Sequence, residues 1–179
     1  MRSTLVIAAL TLGIAAPALA QMKEGTFSGT YSSYGTYKGI PIGKERFLSA
    51  YEDNGLSLTN GFEDHMTWHC FGLYDVMNAM AQWQGYCVGT DPAGDQVVSN
   101  VASDGKYAAD AKSYNATGTF TTGTGKYAGI SGSWTFVGHA PEFRTAAPES
   151  TFVQNGPMQG SYKIAPEATG STAPPTTSK

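Results

Sequence analysis

The side chains able to do chemistry are few and scattered. His65 and His69 stand four apart, with Glu63 and Asp64 beside them. On a helix that spacing resembles a metal pair. On a strand it separates the two by ~13 Å, at ~3.3 Å per residue. The segment reads as a strand, so both histidines are expected at structural or surface positions, and no metal is expected. His139 comes with no nucleophile-elbow sequence. Asp91-Pro92-Ala93-Gly94-Asp95 sets two carboxylates around a glycine. It lacks the alternating oxygen ligands and terminal Glu of an EF-hand loop and reads as a hairpin turn. Gly123-Thr124-Gly125-Lys126 fails as a phosphate loop. The pattern needs Gly at position 120 and Ser or Thr at 127, and this chain has Phe120 and Tyr127. No helix follows to offer its N-terminus to a phosphate. Asn115-Ala116-Thr117 matches a glycosylation sequon, but the leader looks bacterial, so the match is read as coincidence. No cofactor is expected.

The elements that must position these residues are strands. Gly, Thr, Ser and Tyr are abundant and Leu, Glu and Lys sparse, which is strand and turn composition. Period-two alternation predicts strands near 25–34, 43–51, 65–76, 80–90, 95–101, 114–122, 126–138 and 151–164. Turn signals separate most of them: Asp53-Asn54-Gly55, Asn60-Gly61, the Asp91–Gly94 stretch, Ser103-Asp104-Gly105 and Gly123-Thr124-Gly125. Many short strands at this spacing suggest a sandwich or barrel. About eight suit a small closed antiparallel barrel, which leaves no edge open to aggregation.

Cys70 and Cys87 are the only cysteines. If they face each other across a hairpin, the turn falls at Asn78-Ala79. Gly72 then opposes Gly85, Tyr74 opposes Trp83 and Trp68 opposes Gly89. One face carries Met66, Trp68, Cys70, Tyr74, Val76, Ala81, Trp83 and Cys87, and it is the apolar one. Register and polarity agree, which supports the pairing; a wider loop with another register is the alternative. A disulfide is expected in an oxidising compartment, the rival being two buried thiols. The same parity puts Tyr114, Ala116 and Phe120 inside, then Ala128, Ile130, Trp134 and Phe136, then Phe152, Met158, Tyr162 and Ile164. Trp68, Tyr74, Trp83, Phe120, Trp134 and Phe136 are the expected lining of the interior. Glycines between the rings either let rings pack across or leave room for a ligand.

The ends of the chain speak to compartment. Arg2, an apolar run over 5–16 and Ala18-Leu19-Ala20 make residues 1–20 a secretory signal peptide. The run is too short to span a bilayer, and no Cys follows the cleavage site, so no membrane anchor is expected. A single barrel domain over 21–164 and a disordered tail over 165–179 complete the division. From Pro166 the tail holds no large apolar residue. The protein is expected to be secreted or periplasmic. Its net charge is −3, and −4 once Arg2 is lost, with no basic patch, so nucleic acid is a poor partner.

Gly123-Thr124-Gly125-Lys126-Tyr127, with Gly129 and Gly132 after it, resembles the Gly-Thr-Gly-x-aromatic segment of dirigent and allene oxide cyclase-like proteins. Gly85-Tyr86-Cys87 leading into Asp91 and Gly94-Asp95 is similar to secreted bacterial members of that group. The resemblance covers about 66–138. It implies a calycin-like, eight-stranded antiparallel barrel with a central cavity, and in some cases a trimer. Some relatives cyclise or guide reactive small molecules. The family's cyclase residues do not map onto the N-terminal strands here.

Two functions follow. One is an exported barrel that binds a small apolar or aromatic molecule without catalysis. The other is a cofactor-free cyclase or isomerase, in which enforced substrate shape and one polarising group (Glu45, Tyr74 or Tyr127) do the work. A buried carboxylate of raised pKa in the cavity favours the enzyme. A cavity lined only by rings favours binding, and a filled barrel favours a purely structural role.

Overall fold

The computed structural model describes residues 23–139 and 149–165. The segments read as a signal peptide (1–20) and as a tail from Pro166 fall outside the described residues. Nine strands run β1 Lys23–Ile42, β2 Arg46–Thr59, β3 Met66–Met77, β4 Met80–Thr90, β5 Gln96–Ser103, β6 Tyr107–Ala108, β7 Ser113–Gly123, β8 Ile130–His139 and β9 Glu149–Ile164. They form one antiparallel sheet in the order β3-β2-β1-β9-β8-β7-β5-β4, and β3 pairs with β4 to close the ring. This is the expected eight-stranded barrel, with the two-residue β6 added beside β4.

The β3–β4 hairpin has the expected register. Cys70 pairs with Cys87, Gly72 with Gly85, Tyr74 with Trp83 and Trp68 with Gly89. Asn78 and Ala79 both take left-handed backbone angles, as a two-residue hairpin turn requires. Cys70 and Cys87 are disulfide-bonded, with their Cα atoms 4.0 Å apart.

The N-terminal third differs from expectation. Asp53-Asn54-Gly55 is not a turn. It lies inside β2, which runs unbroken to Thr59, and the turn joining β1 to β2 is Gly43–Glu45. The strand expected from position 65 begins at Met66, and His65 sits in the preceding turn with φ 53°. The segment expected to open a strand at 126 holds a single 3-10 turn, Gly125–Tyr127, before β8, so Ala128, expected inside, caps that turn and is exposed.

Interior rings lie on glycines of the neighbouring strand. A Cβ at Gly55 would strike the Tyr31 ring at 2.5 Å, and one at Gly118 would strike Trp134 at 2.1 Å. Gly72 and Gly85 together seat Tyr51, Gly138 seats Tyr114 and Gly160 seats Phe27. The bare backbone lets each ring lie flat along the wall, a pairing also used to stabilise glycine in sheets. The rings therefore line the barrel without filling its middle. Two packed clusters result. One, at the end closed by the β2–β3 turn, includes Phe27, Met66, Phe120, Tyr127 and Ile130. The other includes Tyr37, Phe47, Tyr74, Val76 and Phe152.

Candidate functional site

A cavity of about 60 Å³ lies inside the barrel and is lined by residues of both clusters. A single water needs ~10–15 Å³. Ten of its fifteen lining residues are aromatic, and Asp53 is the only charged one. Of the rings expected in the lining, Trp68, Tyr74, Trp83, Trp134 and Phe136 border the cavity. Phe120 is buried but stands elsewhere. It packs on Phe62 of the β2–β3 turn at 5.6 Å, where Phe62 also stacks on Tyr162 at 4.1 Å and meets Phe27 and Tyr127.

Asp53 is the chemical centre of the cavity. Alternation along β2 turns Phe47, Ser49, Asp53 and Ser57 inward. Alternation along β1 does the same for Tyr31 and Ser33. Register sets Ser33 opposite Gln154 of β9 and Asp53 opposite Cys70 of β3. Tyr31 donates its hydroxyl to Asp53 Oδ1 at 3.2 Å. Ser33 donates to Oδ2 at 3.2 Å, and Gln154 Nε2 donates to the same oxygen at 2.8 Å and to Ser33 Oγ at 2.9 Å. Tyr114 in turn donates to Gln154 Oε1. The network joins β1, β2, β7 and β9 across the interior.

Burial drives the electrostatics. Asp53 is 3% exposed. Desolvation raises its pKa, the hydrogen bonds from Ser33, Tyr31 and Gln154 and the nearby His69 charge pull it down, and the balance stands at about 6. The Tyr31, Tyr51 and Tyr114 phenols are pushed up, first by burial and then by the Asp53 charge. The Tyr51 hydroxyl is buried in the lining with no hydrogen-bond partner among the described residues. Tyr74 is raised to about 12, chiefly by burial.

The other polarising candidates stand away from the cavity. Glu45 is exposed in the β1–β2 turn. Tyr127 donates its hydroxyl to Asp91 Oδ2 at 3.1 Å, where Lys126 also pairs. Asp91 Oδ1 accepts the Ala93 and Asp95 backbone N–H groups. Burial raises the Asp91 pKa, but Lys126, Tyr127 and those amides outweigh it and hold it at about 2. The Asp91–Asp95 turn is thus a clasp to the loop before β8. His65 pairs with Asp64 and His69 with Glu52 on the outer surface.

Tyr31, Ser33, Tyr37, Tyr51, Asp53 and Gln154 are the site residues missed in the sequence. Their signal is inward parity shared with Phe47, Ser49 and Phe152.

No family model and no curated protein matches the chain. A solved structure, the pterocarpan synthase dirigent protein GePTS1, aligns over 89% of this chain and 98% of its own, at 7% sequence identity and a TM-score of 0.40. At that identity and TM-score it says nothing of activity, and the barrel stands on its strand pairing.

Proposed function

We propose that the barrel is a binding chamber for a small, largely apolar or aromatic molecule carrying one polar group. The observation that carries this is the aromatic cavity with one buried carboxylate and one unpartnered phenol at its wall. In a purely structural barrel the unpaired Tyr51 hydroxyl only costs stability, and a ligand's polar group would complete it. All three tryptophans of the chain line the cavity, so their fluorescence reports its contents. Phenol, titrated with excitation beyond its own absorption, should change that fluorescence saturably. A response that stays linear in phenol concentration rejects the chamber.

Asp53 also favours the second reading, a cofactor-free cyclase or isomerase. An acid poised near pH 6 can give or take a proton inside a water-poor site, where shape and orientation supply the rest of the rate. Liquid chromatography coupled to mass spectrometry, which resolves isomers of equal mass by retention, separates the two readings when applied to small molecules held by the purified protein. Recovery of a ligand unchanged after incubation supports binding, and recovery of an isomer supports catalysis.

The same proposal places the protein outside the cytoplasm. Residues 1–20 read as a leader, and a disulfide persists in oxidising compartments. Intact mass of exported protein should correspond to a chain beginning at Gln21, and a retained Met1 overturns the assignment.

A further inference from the structure

We infer that the molecule the chamber takes is a small organic cation, an amine or quaternary ammonium, held between the Asp53 carboxylate and the surrounding rings. This rests on the chamber reading above and narrows it.

The lining carries one acid and no base. An anionic ligand would meet Asp53 with nothing to balance either charge. A neutral ligand would leave the carboxylate as the only buried charge in an apolar interior. A cation completes it. The rings add to this, because aromatic faces carry a negative quadrupole that attracts cations, most strongly when water is excluded. Three tryptophans and five tyrosines border the space. The carboxylate is also fixed and still has capacity. Oδ2 accepts from Ser33 and Gln154, while Oδ1 accepts from Tyr31 alone. A carboxylate has about four lone-pair sites, so Oδ1 retains one for an ammonium N–H, while a quaternary ammonium meets the same oxygen through charge alone. Without a cation, burial keeps Asp53 partly protonated near neutral pH. Cation binding should therefore expel a proton.

The phenols facing Asp53 stay out of this titration. Tyr31 from β1, Tyr51 from β2 itself and Tyr114 from β7 are all shifted upward and stay neutral. Ser33 and Gln154 do not titrate, and Cys70 is in the disulfide. His69, outside on β3, pairs with Glu52 and is the remaining titratable neighbour, so Asp53→Asn is the control that assigns the pH dependence to Asp53.

The test uses the purified chain with its disulfide intact. Tetramethylammonium keeps its charge at every pH, so only the protein titrates. Its binding, read by tryptophan fluorescence, should be about tenfold tighter at pH 7.5 than at pH 5, where a group of pKa near 6 is ~10% ionised. Neutral tert-butanol, of similar size, should bind at least ~10-fold more weakly at pH 7.5. Asp53→Asn should abolish the pH dependence, and the wild-type titration decides the matter if that variant does not fold. Binding of phenol or tert-butanol without tetramethylammonium refutes the cation and leaves the chamber. Tetramethylammonium affinity that is flat or rises on acidification also refutes it. Failure of all three ligands removes the chamber as well.

Discussion

Glu63→Met should stabilise the protein at pH 8, with a gain that shrinks as the pH falls toward 4.5. Glu63 is 2% exposed, and neither carboxyl oxygen has a hydrogen-bond partner among the described residues. Desolvation alone raises its pKa well above the ordinary value of 4.5. The unfolded chain releases this proton above about pH 4.3, while the folded chain keeps it. The unfolded state then binds fewer protons, so stability falls as pH rises, by up to ~1.4 kcal/mol per unit, until the folded pKa is passed. Met cannot ionise and is unbranched and flexible, so the variant loses this slope without leaving a hole. Asp53 acts with the same sign but in a narrower window, from 3.8 to about 6. Denaturant unfolding across pH should thus show the wild type losing stability more steeply above pH 4.5 than the Glu63→Met variant. Parallel curves for the two would mean that Glu63 reaches water or a partner. At the acid end Asp91 has the opposite sign. Its depressed pKa of about 2 means that its contribution is lost as pH falls below 3.8.

The position of Glu63 explains why such a cost is tolerated. It belongs to the turn that drives Phe62 into the barrel end, against Phe27, Phe120, Tyr127 and Tyr162. Both Glu63 and His65 adopt left-handed angles, which a non-glycine residue enters at a cost of roughly 1–2 kcal/mol. Backbone contacts hold the turn in this form. Ser57 donates to the Glu63 carbonyl at 2.5 Å, and Thr59 donates to the Phe62 carbonyl at 2.5 Å. The aromatic contacts of Phe62 and these hydrogen bonds offset the strained backbone and the buried acid.

The β3–β4 hairpin is readable from sequence because two patterns agree there. The cysteine spacing proposes a register, and the alternation of apolar residues selects the same one. Asp53 is not readable in that way. Asp-Asn-Gly is strong local turn chemistry, and it competes with the alternation running from Phe47 to Ser57. Tertiary packing decides against the turn: Gly55 faces the Tyr31 ring at a distance only glycine permits, and β2 pairs with β1 and β3 straight through it. Cutting the strand at Asp53 hides the inward run and with it the one acid in the cavity. Phe120 shows a different limit. Alternation tells which face a ring is on, but not how far along the barrel axis it stands. That depends on Phe62, which a turn brings inside. Tyr127 likewise has the right side chain for polarising a ligand, and the Asp91 clasp takes its hydroxyl.

Trp68→Ala should cost about 3–5 kcal/mol, the range for removing a fully packed large aromatic. Trp68 is buried on β3, with its ring against Trp134 at 6.4 Å. It borders the cavity on one side, which would lower the loss if the ring faced mostly empty space. Two contacts argue that the full loss applies. A Cβ at Gly89 would lie 2.9 Å from the indole, so the ring is pressed onto β4. Its Nε1 donates to Ser57 Oγ at 3.0 Å, and that oxygen donates onward to the Glu63 carbonyl. The indole therefore ties the cavity wall to the Phe62 turn. Trp68→Phe separates the two effects. It keeps most of the ring but drops the hydrogen bond, and it should cost about 1 kcal/mol for the bond plus a smaller packing loss. If Trp68→Ala costs under ~1 kcal/mol, the ring is not packed as described, and the cavity is wider than its lining implies. If the Phe variant costs as much as the Ala variant, the bond to Ser57 carries the effect, and the turn, rather than the ring stack, is what Trp68 holds in place.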